Sequence, residues 1–155
     1  MQLYLLRHAD ADTKAATDDE RTLSEKGETQ ALRVADFCKM HALKPAAILA
    51  SPLPRAQQTA AAIGKKFAME VITVRWLACG AEPATVLGYL AEMNQHPAVM
   101  LVGHEPDLSR LVAHLLGAGR SDVIHIRKAS LTAVEILAFR AGGGRLDFSV
   151  PVKLM

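Results

Sequence analysis

Three things are scarce in this chain. The first is charge of one sign. Lys and Arg number 18 against 16 Asp and Glu, a formal net charge of +2, too small for a nucleic-acid surface built on bulk charge. The second is long apolar runs. No stretch approaches the roughly 20 residues that cross a bilayer. Arg7, His8 and Asp10 interrupt the N-terminal run and no cleavage site follows, so neither a membrane anchor nor a signal peptide is expected. The third is cysteine. Cys38 and Cys79 lack metal-type spacing and read as free thiols in a reducing, cytoplasmic setting.

Apolar material is plentiful. Half of the 155 residues are hydrophobic, enough for one core and one domain spanning 1–155. Strand-like runs occupy 3–6, 46–50, 71–74 and 99–102, with two more expected at 131–139 and 144–150 around the turn Ala141-Gly142-Gly143. Helical spacing lies between them. Ala31, Val34, Ala35 and Cys38 make one face of a helix that Ser24 can cap. Ala56, Ala60, Ile63 and Phe67 mark a helix over 54–67. Val86, Leu87, Leu90 and Met93 mark one over 83–94. Leu108, Leu111, Val112 and Leu115 mark a fourth, with Pro106 in its first turn. Residues 9–23, rich in Asp, Ala and Thr, read as a loop. Such alternation predicts an α/β fold, a three-layer α/β/α sandwich with a mostly parallel central sheet.

In open sheets of this kind ligands bind beyond the carboxyl ends of the strands. Three predicted strand ends carry polar residues: Arg7-His8, Ser51-Pro52-Leu53-Pro54-Arg55 and Gly103-His104-Glu105. If these strands are neighbours, two histidines and two arginines converge near helix N-termini, which favour anions. Guanidinium forks match phosphate oxygens, and a neutral imidazole is a competent nucleophile toward phosphorus.

The same segments carry a family resemblance. Leu5-Leu6-Arg7-His8-Ala9 resembles the Arg-His-Gly signature of the histidine phosphatase superfamily, whose fold is called phosphoglycerate mutase-like. Leu23-Ser24-Glu25-Lys26-Gly27, Ser51 through Ala60, and Gly103-His104-Glu105-Pro106 are similar to its further motifs, in the same order. Among its members the SixA-type phosphohistidine phosphatases look most similar. The segment from Asp10 through Asp18 to Arg21 resembles the loop of that group. The chain is also compact, with His104 only 49 positions after Arg55, a span where relatives acting on small molecules insert a lid. Those relatives carry a catalytic glutamate in a Leu-x-Glu context after the third strand. Here the stretch is Leu77-Ala78-Cys79-Gly80-Ala81-Glu82, with Cys79 in the matching place and Glu82 displaced.

The missing acid has a chemical meaning. Expelling an alkoxide benefits about 10²–10⁴-fold from a positioned proton donor. The imidazole lost from phosphohistidine is itself protonated near neutral pH and needs far less help. The resemblance therefore implies a metal-independent phosphatase acting on a phosphohistidine-bearing protein, such as a phosphorelay component. It implies no cofactor, and neither nucleic acid nor membrane as a partner.

In the mechanism so implied, His8 attacks phosphorus and water hydrolyses the phosphohistidine enzyme. Arg7, Arg21, Arg55 and His104 hold the oxygens of the phosphate or another oxyanion. A backbone carbonyl is expected to fix the second ring nitrogen of His8. Two alternatives stand beside this reading: a small-molecule phosphomonoesterase using Glu82, and a non-catalytic phosphate-binding module. Asp10 and Asp18 read as loop-capping groups, Glu105 as a helix N-terminal charge and Ser51 as a turn residue. His41, His96, His114 and His125 read as surface or satisfied histidines. Arg127 and Lys128 form a modest basic patch, most simply solvated.

Overall fold

A computed structural model describes residues 1–155. Strands β1 (Gln2–Arg7), β2 (Ala47–Ala50), β3 (Val71–Thr73) and β4 (Ala98–Gly103) alternate with helices α1 (Glu25–Met40), α2 (Pro54–Phe67), α3 (Pro83–Glu92) and α4 (Asp107–Leu116). The hairpin β5 (Leu131–Ile136) and β6 (Gly144–Val150) completes one six-stranded sheet in the order β3-β2-β4-β1-β5-β6. The pairs β1–β4, β2–β4 and β2–β3 are parallel, whereas β5 runs antiparallel to both β1 and β6. The sheet is thus mostly parallel, as expected, with an antiparallel hairpin at one edge.

Period-two alternation divides the core between the two faces of the sheet. Tyr4, Leu6, Ile48, Ala50, Met100 and Val102 pack with the apolar stripes of α1 and α2. Leu3, Leu5, Leu49, Val99 and Leu101 pack with those of α3 and α4. This double burial is why the inner strands read as unbroken apolar runs. Each buried Leu or Ile contributes about 1.5–3 kcal/mol, and that scaffold holds three strand ends side by side.

Local signals account for most element boundaries. Ser24 caps α1 and accepts from Gly27 N at 3.1 Å. Gly27 is also where the 9–12 loop crosses the helix. A Cβ there would lie 1.9 Å from the Asp10 carbonyl oxygen, so only glycine permits this approach. Several expectations shift at their ends, β2 starting at Ala47 and β3 closing at Thr73, each one residue inside the expected run. The α3 helix stops at Glu92, with Met93 as its partly buried C-cap. Pro106 stands at the N-cap of α4, one residue before the first turn. The β5 strand ends at Ile136, because Leu137 and Ala138 turn to bond the Gly143 carbonyl.

Candidate active site

The central position of β1 fixes His8. Arg7 closes the strand opposite Gly103 of β4, and His8 N donates to the Gly103 carbonyl at 3.0 Å. Ala129 N reaches both the Arg7 and His8 carbonyls, at 3.1 and 3.2 Å. Ala9 N donates to Thr59 Oγ1 at 3.1 Å. Thr59 in turn donates to the Arg55 carbonyl at 2.7 Å, so one hydroxyl on α2 ties the His8 segment to Arg55. The ring follows the backbone: His8 Nδ1 donates to the Ala9 carbonyl at 2.8 Å. That bond places the proton on Nδ1 and leaves Nε2 with a free lone pair. It is the tautomer-setting carbonyl expected above.

His104 lies just beyond β4, and its ring centroid is 5.2 Å from that of His8. Its Nε2 is 2.7 Å from Ser51 Oγ, at the end of β2. Its Nδ1 is buried without a hydrogen-bond partner. Ser51 keeps its turn role as well, accepting from Leu53 N at 3.3 Å. Both imidazoles are buried and both titrate near 4. For His8, burial is the main cause; His104, Arg55 and Arg7 add to it, against the pull of the Ala9 carbonyl. For His104, burial again leads, followed by Arg55, with Asp107 and Asp18 opposing. Both rings are therefore neutral at pH 7.

The arginines arrive from three directions. Arg55, in the first turn of α2, is 4% exposed. It donates to the Asp18 carbonyl at 2.6 Å and to the Asp18 carboxylate at 3.0 Å. Arg21 donates to the other Asp18 oxygen at 2.8 Å and to the carbonyls of Asp12 and Ala11. Asp18 thus bridges Arg21 and Arg55, and they hold its carboxyl below the usual range, the Arg21 bond first and the Arg55 charge next. Arg7 donates from Nη1 to the Ile126 carbonyl at 2.9 Å, while its buried Nε has no partner.

The thiol of Cys79 is exposed and stands in the fields of Arg55, Asp107 and Asp18. Glu82 is exposed at the N-cap of α3 and caps nothing. The buried carboxylate of Asp107 clamps this loop, accepting from Gly80 N at 2.8 Å and Ala81 N at 3.2 Å. Glu105 turns elsewhere. It accepts from Ser109, and burial raises its carboxyl despite the nearby Arg7.

The structure therefore brings Arg7, His8, Arg55 and His104 together, with Arg21 joined to Arg55 through Asp18. The roles of Asp18, Ser51, Thr59 and Asp107 escaped sequence reasoning. A hydroxyl one helical turn after Arg55 was a usable signal for Thr59. The other three depend on contacts across 26 or more positions. No three His, Cys, Asp or Glu side chains are placed to hold a metal ion.

Comparison with known proteins gives a consistent result. Residues 3–78 match the model of the histidine phosphatase superfamily, branch 1. An uncharacterized protein of Picosynechococcus is 32% identical, covering 95% of this chain and 89% of its own. Phosphohistidine phosphatase SixA of Escherichia coli is 30% identical over 121 residues, covering 74% of each chain. The structure of the protein histidine phosphatase SixA complexed with tungstate superposes with a TM-score of 0.88 over 99% of both chains, at 23% identity.

Proposed function

The chain belongs to the histidine phosphatase superfamily and is SixA-like, and from that premise we propose that it removes phosphate from a phosphorylated histidine on a protein. His8 is the proposed nucleophile. Its Nε2 lone pair attacks phosphorus in line, the P–N bond of the substrate breaks, and the substrate imidazole, already protonated on its other ring nitrogen, takes that electron pair and departs neutral. Water then attacks the phosphorus on His8, the new P–N bond breaks, and inorganic phosphate departs. Arg7, Arg55 and His104 are assigned to the phosphate oxygens, with Arg21 entering when Asp18 gives way. With Ser51 donating to Nε2, His104 carries its proton on the unpartnered Nδ1, and an oxyanion is the acceptor that atom lacks. These guanidinium charges offset the charge of the transition state, so the proposal needs no metal. That the SixA structure of similar fold is a complex with tungstate, an oxyanion, supports an oxyanion as the ligand class.

One observation carries the choice of substrate: a proton donor is missing where an ester would need one. The sequence resemblance puts Cys79 in that place, and Asp18, the carboxylate on Arg55, is kept ionised by its arginines and has no proton to give at neutral pH. Phosphohistidine is the substrate class that tolerates this lack. No helix is long and apolar enough to cross a membrane. A cytoplasmic setting belongs to the same proposal, since neither thiol is disulfide-bonded.

The test is a ranking of kcat/KM for phosphohistidine, an aryl phosphate and a sugar phosphate at one pH. Phosphohistidine is expected to exceed the sugar phosphate by about 10²-fold or more, the usual worth of a general acid, with the aryl ester between. A sugar phosphate at the top would replace this reading with the small-molecule one.

A further inference from the structure

A groove of about 480 Å³ opens beside the site and begins at one of its own residues, Arg7. Its other charged walls are Lys26 on α1, Arg127 and Lys128 before β5, and Lys153 near the C-terminus, with Asp10 as the one carboxylate. Five cations against one anion give the groove a formal net charge of +4. The remaining 13 Lys and Arg against 15 Asp and Glu leave −2 for the rest of the chain. The modest positive charge of the protein is thus concentrated at this one place.

These charges are also free. Asp10 is held by Lys128 at 2.7 Å, but no ion pair of the chain engages Lys26, Arg127 or Lys153, and all three are exposed. A second hollow of about 340 Å³ shares Lys26, Gln30 and Lys153 with the first and adds Arg33. Lys26, Gln30 and Arg33 follow the i, i+4, i+7 spacing of one helix face, so the basic surface runs along α1 away from the site. Position relative to His8 is fixed by backbone. Ala129 N binds the His8 carbonyl, which places Lys128 and Arg127 next to the strap that holds the proposed nucleophile.

We propose that this groove docks a carboxylate-rich protein segment flanking the phosphohistidine, so that the substrates are phosphohistidines set among Asp and Glu. The inference rests on the phosphohistidine reading above. Unpaired cations along a groove that starts at Arg7 raise the encounter rate of an anionic surface and set its register. A phosphohistidine in a neutral or basic setting gains nothing from them.

The test compares two phosphohistidine peptides of equal length, one with Asp and Glu flanks and one with Ser and Gln flanks, alongside free phosphohistidine and an aryl phosphate. At low salt the acidic peptide is expected to show about tenfold higher kcat/KM, the product of a few exposed pairs of ordinary strength. The advantage resides in KM and shrinks as salt rises. The variant K26E/R127E/K153E is expected to lose it while hydrolysing free phosphohistidine at the wild-type rate, which also shows that it folds. K44E/K65E/R140E carries the same charge change at the opposite end of the sheet and is expected to keep the preference. Equal efficiency on both peptides, or a preference that survives K26E/R127E/K153E, overturns the docking surface alone. Tripolyphosphate competing with substrate where the unphosphorylated acidic peptide does not also overturns it, making the groove a subsite for phosphate. Free phosphohistidine hydrolysed no better than the aryl phosphate overturns the substrate reading and this inference with it.

Discussion

Arg55 holds Asp18 twice, through the backbone carbonyl at 2.6 Å and the carboxylate at 3.0 Å. An arginine proposed to bind phosphate thus has an internal anion on its guanidinium, and Arg21 holds the same carboxylate from the other side. An incoming phosphate competes with Asp18 for these donors. Asp18→Asn keeps the shape and removes the charge. It is expected to lower the Ki of tungstate or phosphate several-fold and leave kcat for phosphohistidine within about twofold. A fall of kcat confined to alkyl esters would instead assign Asp18 a proton-donating part. Inhibition constants and single-substrate kinetics separate the two.

Ser51→Ala tests the support of His104. The hydroxyl is the only hydrogen-bond partner of that ring, and a neutral hydrogen bond of about 1 kcal/mol corresponds to somewhat less than tenfold in rate. Turnover of phosphohistidine is expected to fall about five- to tenfold, with tungstate binding weakened to a similar degree. Unchanged kinetics would mean that packing alone orients His104.

Stability carries the signature of the two buried imidazoles. Both titrate near 4 in the fold, against an ordinary 6.5. As pH falls below 6.5 the unfolded chain takes up protons that the native rings refuse, so unfolding free energy declines until about pH 4 and then stops responding to them. The expected loss across that window is on the order of a few kcal/mol, measured by urea titration at a series of pH values. His8→Gln/His104→Gln is expected to flatten the slope. A wild-type slope that the double variant reproduces would show that other groups carry it.

The helix over Pro54–Phe67 was legible end to end, because Pro54 opens it and its apolar spacing persists to Phe67. The convergence of Arg7, His8, Arg55 and His104 was legible for a different reason. Each stands at or just past the end of a run that only a buried strand explains, and three such strands end at one edge of the sheet. What lay beyond reading were contacts without local pattern. Asp18 meets Arg55 across 37 positions, and Ser51 meets His104 across 53. Neither pair has a period or a spacing that announces it. The basic groove was half visible as Arg127 and Lys128. Its depth came from Lys26 and from Lys153 near the far end of the chain, which only the packed fold brings together.

The central claim is that His8 carries the phosphoryl group between substrate and water. The direct measurement is rapid quench into alkali, where phosphohistidine survives and acyl phosphate does not, followed by peptide mass analysis. The account predicts a transient mass increase of one HPO₃ on the peptide containing His8, absent in His8→Ala, which also loses turnover. Wild-type turnover in His8→Ala, or label on His104 with His8 unmodified, would contradict it.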